Sequence, residues 1–112
     1  MSENQLQALC YTWFHNSFPD ERGLLCYNLN NSRNKIDGMA NKAMGLQKGR
    51  SDMVYYTTSG AVMMEFKTES GIQSPEQKEW EKRITSVGYP YHIIRSFEQF
   101  KELINALRIK TT

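Results

Sequence analysis

Apolar residues recur along this chain in two rhythms, and caps, prolines and glycines mark the breaks between them. Ser2 followed by Gln5 is a capping-box pair, and Leu6, Leu9, Cys10, Trp13 and Phe14 follow at helical spacing. They predict a helix over about 2–16 that ends before Pro19. Residues 24–28 form a short apolar strand candidate, and the polar stretch 29–35 reads as a loop. Ile36, Met39, Ala40, Ala43 and Met44 predict a shorter second helix stopped by Gly45. Two β-rich runs, 52–57 and 61–67, flank Thr58-Ser59-Gly60 and predict a hairpin. Ser74-Pro75-Glu76-Gln77 has the composition of a helix start, and that helix should run to about Val87 before Gly88. A strand over 90–95 follows. The last helix opens at Ser96, with Phe97, Phe100, Leu103, Ile104 and Leu107 on one face. The order α, β, α, β, β, α, β, α predicts an α/β fold: a small mixed β-sheet flanked by helices.

At 112 residues the chain has room for one core, so residues 1–112 are expected to form a single domain. Apolar residues make up 39% and charged residues 23%, with five Phe, six Tyr and two Trp, which excludes a disordered or collagen-like chain. No apolar run reaches the ~20 residues of a membrane span, and no secretory signal opens the sequence. Cys10 and Cys26 then read as free thiols, and an intracellular (cytoplasmic) protein with no membrane partner is expected. His15 and His92 lie far apart with no ligand-type neighbour, so they read as packing or surface residues rather than zinc ligands.

The net charge of +2 conceals blocks of alternating sign: −2 over residues 1–32, +4 over 33–50, −4 over 51–81 and +4 over 82–112. The first basic block contributes Arg33, Lys35, Lys42, Lys48 and Arg50, candidate phosphate contacts as a group or simply a solvated surface. The acidic middle is more informative. Along 61–67, Glu65 and Lys67 share a strand face, roughly 6.5–7 Å apart. If Thr57 opposes Ala61 across the hairpin, Asp52 falls opposite Phe66, give or take one residue, and therefore beside Glu65 or Lys67. Two carboxylates and an ammonium thus converge on strands otherwise built of Met, Val, Tyr and Phe. Like charges brought together in such a setting need compensation, and a hard divalent cation such as Mg²⁺ supplies it. The same three residues also fit a plain cross-strand ion pair.

Gly49-Arg50-Ser51-Asp52, then twelve residues, then Glu65-Phe66-Lys67 resembles the PD-(D/E)XK nuclease signature. The continuation Gly71-Ile72-Gln73-Ser74-Pro75-Glu76-Gln77-Lys78-Glu79-Trp80 is similar to the VRR-NUC (virus-type replication-repair nuclease) group, in which a Gln on the helix after the ExK strand belongs to the motif. Glu3, Lys42-Ala43-Met44-Gly45 and Arg95-Ser96-Phe97-Glu98-Gln99-Phe100 extend the resemblance from about Glu3 to Ile104. It departs from the pattern at Ser51, where the motif has Pro, and at Leu29-Asn30-Asn31, where the family usually has Pro-Asn-Gly and only Asn30 matches.

The resemblance implies a restriction-endonuclease-like core, with Asp52, Glu65 and the main-chain carbonyl of Phe66 as metal ligands. Lys67 would be the catalytic lysine, Gln77 a supporting active-site residue, and Glu3 a further or outer ligand. It also implies Mg²⁺- or Mn²⁺-dependent hydrolysis of DNA phosphodiesters, often in branched DNA such as four-way (Holliday) junctions, by homodimers. Gln77 falls where a capping box calls for Gln in any case, and Glu3 where a helix start favours an acid. The expectation is a structure-selective, metal-dependent DNA endonuclease of the phage or repair type. Its rival is a non-catalytic DNA-binding or interaction module that keeps the nuclease fold.

Overall fold

Ser2 opens the first helix as its sequence demands: its hydroxyl accepts from Gln5 N–H and the Gln5 side chain accepts from Ser2 N–H, closing a capping box. The computed structural model describes residues 1–28 and 35–111. The elements run α1 (Glu3–Ser17), a 3₁₀ turn at Pro19–Glu21, β1 (Leu25–Tyr27), α2 (Lys35–Ala43), β2 (Met53–Thr57), β3 (Gly60–Phe66), α3 (Pro75–Ser86), β4 (Tyr91–Ile94) and α4 (Phe97–Thr111). Every element that the sequence predicts is present in the expected order. Asn30 and Arg33 lie outside the described residues, as does the side chain of Lys35.

The four strands form one mixed sheet in the order β1-β2-β3-β4. β1 and β3 each run antiparallel to β2, while β4 runs parallel to β3 and is reached through the α3 crossover. The β2–β3 register differs by one residue from the sequence expectation: Thr57 pairs with Gly60 and not with Ala61. Gly60 takes φ 127°, a backbone open to glycine, and joins the strand. The Thr57 hydroxyl accepts from Ser59 N–H and donates to Gly60 C=O, which tightens the turn to Thr58-Ser59. Continued one step past Met53↔Met64, this register sets Asp52 across from Glu65.

Strand alternation sorts the side chains onto two faces. Leu25, Met53, Tyr55, Val62, Met64, Phe66 and Ile94 meet Leu6, Cys10 and Phe14 of α1 and Phe100 and Ile104 of α4 in the buried core. Trp13 closes that layer edge-on to Phe18, Phe97 and Phe100. The opposite face carries Val54, Tyr56, Ala61 and Met63, with Trp80 and Ile84 of α3 beside them around an open hollow. Glu65 and Tyr91 belong to this second face, and so the charged end of the hairpin lies outside the hydrophobic core while remaining buried.

Gly49 fixes how the loop before β2 meets α3. Its φ is 81°, and a Cβ there would come within 2.5 Å of the Glu76 backbone. Only a residue without a side chain lets the two backbones approach so closely.

Candidate active site

Asp52 is held from both sides. The buried Asn28, just past β1, donates from its backbone N–H to Asp52 C=O (2.8 Å) and from its side chain to Ser51 C=O (3.1 Å). Across the hairpin, Asp52 Oδ2 accepts from the Phe66 backbone N–H at 2.7 Å. A strand residue directs its N–H and C=O toward the same neighbour. The Phe66 carbonyl therefore points along the edge where the Asp52 carboxylate sits.

Glu65 is 1% exposed. Its Oε1 accepts from the Tyr91 hydroxyl at 2.6 Å and from Gln73 Nε2 at 3.0 Å. The Gln73 amide also donates to Glu81 Oε1 at 2.8 Å. The other oxygen, Oε2, is buried and has no hydrogen-bond partner among the described residues. Lys67 Nζ stands 3.9 Å from it and 3.8 Å from Glu3 Oε1, close enough for charge attraction but too far for hydrogen bonds. Lys67 is itself 6% exposed, so its charge needs those two acids. The Tyr91 phenol is pushed far above its ordinary pKa, first by burial, then by its hydrogen bond to Glu65 and by the charges of Glu65, Glu81 and Asp52. It remains a protonated donor.

A buried carboxylate oxygen with no donor is costly unless something cationic approaches it. Hard oxygen donors from Asp52, Glu65 and the Phe66 carbonyl fit a cation of the Mg²⁺ or Mn²⁺ kind. Among the described residues no group of three or more His, Cys, Asp or Glu side chains is placed to hold a metal alone. Main-chain oxygen and water would have to complete the shell, which is the habit of Mg²⁺.

The structure thus gathers Asp52, Glu65, Phe66 and Lys67, with Glu3 reaching in from the first turn of α1. Gln77 takes the capping position that its spacing from Ser74 predicts. Its side-chain oxygen accepts from Ser74 N–H at 2.8 Å, closing the α3 capping box, and the glutamine that reaches Glu65 is Gln73. Lys42 is exposed near the end of α2, Lys48 is exposed and paired with Glu76 at 3.7 Å, and Arg50 borders the hollow beside Trp80. Asn28, Gln73, Glu81 and Tyr91 were not legible as site residues. Only Tyr91 carried a signal, because a strand beside β3 must put an alternating residue on the Glu65 face.

A solved structure described as a VRR_NUC domain protein superposes on all of this chain and on 91% of its own, with a TM-score of 0.74 and 16% sequence identity. The fold is that of a VRR-NUC domain. No protein-family model matches the sequence, and no curated protein matches it either. The VRR-NUC fold is a PD-(D/E)XK-like one, in which a mixed four-stranded sheet carries helices on both faces. Among the described residues no helix is long and apolar enough to cross a membrane.

Proposed function

We propose that this protein is a metal-dependent deoxyribonuclease that hydrolyses DNA phosphodiester bonds, with branched DNA such as four-way junctions as its preferred substrate. The observation that carries the reading is the state of Glu65: buried, saturated by two donors on one oxygen, bare on the other, and set across the hairpin from Asp52 beside Lys67. A purely structural ion pair would bring the Lys67 ammonium into hydrogen-bond range of that oxygen, which at 3.9 Å it is not. A metal ligand needs that oxygen free.

Asp52, Glu65 and the Phe66 carbonyl would hold Mg²⁺ or Mn²⁺, which when bound lowers the pKa of water and offsets phosphate charge. The rest of the chemistry belongs to the chain. Lys67, steadied between Glu65 and Glu3, offers ammonium hydrogens to the attacking water or to a phosphate oxygen. Glu3 shares in holding that ammonium and lies close enough to serve the outer shell. Gln77 supports the site through the α3 cap, which fixes where the preceding loop delivers Gln73. Asn30, Arg33, Lys35, Lys42, Lys48 and Arg50 supply the phosphate-contacting surface. One chain offers one such site, so two cuts in a symmetric junction call for a homodimer.

Synthetic four-way, flapped, nicked and linear DNAs incubated with Mg²⁺ or Mn²⁺, with products mapped to the nucleotide, test the reading. Asp52→Asn and Lys67→Ala should each lower the cleavage rate by about a hundred- to a thousand-fold. DNA binding without cleavage of any substrate, by wild type with either ion, would mean a non-catalytic module instead.

A further inference from the structure

We propose that Gln73 and Tyr91 are positioning residues that decide which oxygen of Glu65 becomes the metal ligand. The inference rests on the nuclease reading above and assigns a role to two residues outside the D…ExK signature.

A free carboxylate rotates and offers either oxygen. Glu65 cannot, because Oε1 is engaged by the Tyr91 hydroxyl at 2.6 Å and by Gln73 Nε2 at 3.0 Å. These two donors come from different directions, one from β4 and one from the loop before α3. Oε2 is thereby left as the oxygen facing Lys67, without a hydrogen bond from any described residue. The orientation of the Gln73 amide is chemically determined. Its nitrogen lies against two carboxylates, Glu65 Oε1 and Glu81 Oε1 at 2.8 Å, and an ionised carboxylate only accepts, so the NH₂ end must face both. With both of its hydrogens in use, the amide is fixed and Glu81 acts as the anchor that keeps it from turning. Donors that fix a ligand in this way typically alter metal affinity by about 10- to 100-fold when removed.

The test is calorimetric titration of the purified protein with Mn²⁺ in the absence of DNA. Gln73→Met keeps the length of the side chain and removes the donor; Tyr91→Phe removes one hydroxyl. Each should weaken Mn²⁺ binding by about 10- to 100-fold while leaving the KM for DNA at saturating metal near wild type. The metal-free melting temperature falls somewhat, since Glu65 loses a donor, and affinity is therefore measured where each variant is fully folded. The Mg²⁺ concentration for half-maximal cleavage should rise in step, which a purely structural role would not produce. Wild-type affinity in both variants overturns the proposal and leaves the nuclease reading standing. A wild-type protein that binds no Mn²⁺ overturns the nuclease reading and this proposal with it.

Discussion

If Asp52 and Glu65 bind a cation in the folded chain alone, the melting temperature must climb with Mn²⁺ by mass action. Binding to the native state adds RT ln(1 + [L]/Kd), about 1.4 kcal/mol at ten times Kd and about 2.7 kcal/mol at a hundred times. A chain of 112 residues has an unfolding entropy of about 0.24 kcal/mol/K near its melting point. The expected rise is therefore about 6 °C at ten times Kd, and about 6 °C more for each further tenfold. Glu65→Gln is the informative substitution. It preserves shape and leaves an oxygen to accept from Tyr91 and Gln73, but it removes the charge from the position that has no hydrogen-bond partner. Its baseline stability will differ, because Lys67 then loses the charge of one of the two acids beside it. The slope against log[Mn²⁺] is thus the quantity to compare, not the melting temperature itself. Scanning fluorimetry over four decades of Mn²⁺, with Ca²⁺ and chelator controls, measures it. A flat wild-type curve, or equal slopes in wild type and Glu65→Gln, would refute the assignment of these oxygens as ligands.

Gly49→Ala should destabilise the protein by about 2 kcal/mol or more, since a left-handed residue gains a Cβ aimed at the Glu76 backbone; urea unfolding within 0.5 kcal/mol of wild type would contradict this close approach. Burial pushes the Glu21 carboxyl up, but hydrogen bonds from Tyr55 and Arg108 and the arginine charge outweigh it and hold the group below its ordinary value. Its stabilisation is therefore complete above the unfolded carboxyl value near 4.5 and is lost as pH falls through the folded one. Glu21→Gln should flatten acid unfolding in that window, and an unchanged acid limb counts against the cluster. Burial pushes the Cys10 thiol up to about 12 while Cys26 is only half-buried, so a thiol reagent should label one cysteine in the native protein and two in denaturant.

Helix starts were readable because they are local: Ser2 with Gln5, and Ser74 with Gln77, announce their caps within four residues. The Asp52–Glu65–Lys67 grouping was readable for a related reason, since one hairpin joins all three and alternation assigns their faces. Even there the register depended on whether Gly60 belongs to the turn or to the strand, and its pairing with Thr57 places it in the strand. Tyr91, Gln73 and Glu81 were another matter. Tyr91 meets Glu65 because β4 pairs parallel to β3 with Met63 against Tyr91, while Gln73 reaches the acid from the loop before α3 and is held there by Glu81 of α3. These are long-range arrangements that neighbouring residues do not announce. Gln77 illustrates the converse. One side chain satisfied both a local cap and the motif position of the resembled family, and the sequence offered no means of telling which of Gln73 and Gln77 reaches the acid. Asn28 was hidden because its work is done on backbone carbonyls, which carry no sequence signature.

Because β3 is clasped on both flanks, by β2 along one edge and by β4 along the other, its alignment does not depend on the hairpin tip alone. Extra residues spliced between Thr58 and Ser59 would be accommodated as a longer solvent-facing loop, since a slip would break two ladders and rotate Glu65 toward the core. That tip therefore offers a place to graft a fluorophore or an affinity tag at the far end of the hairpin from the acids, without disturbing their alignment.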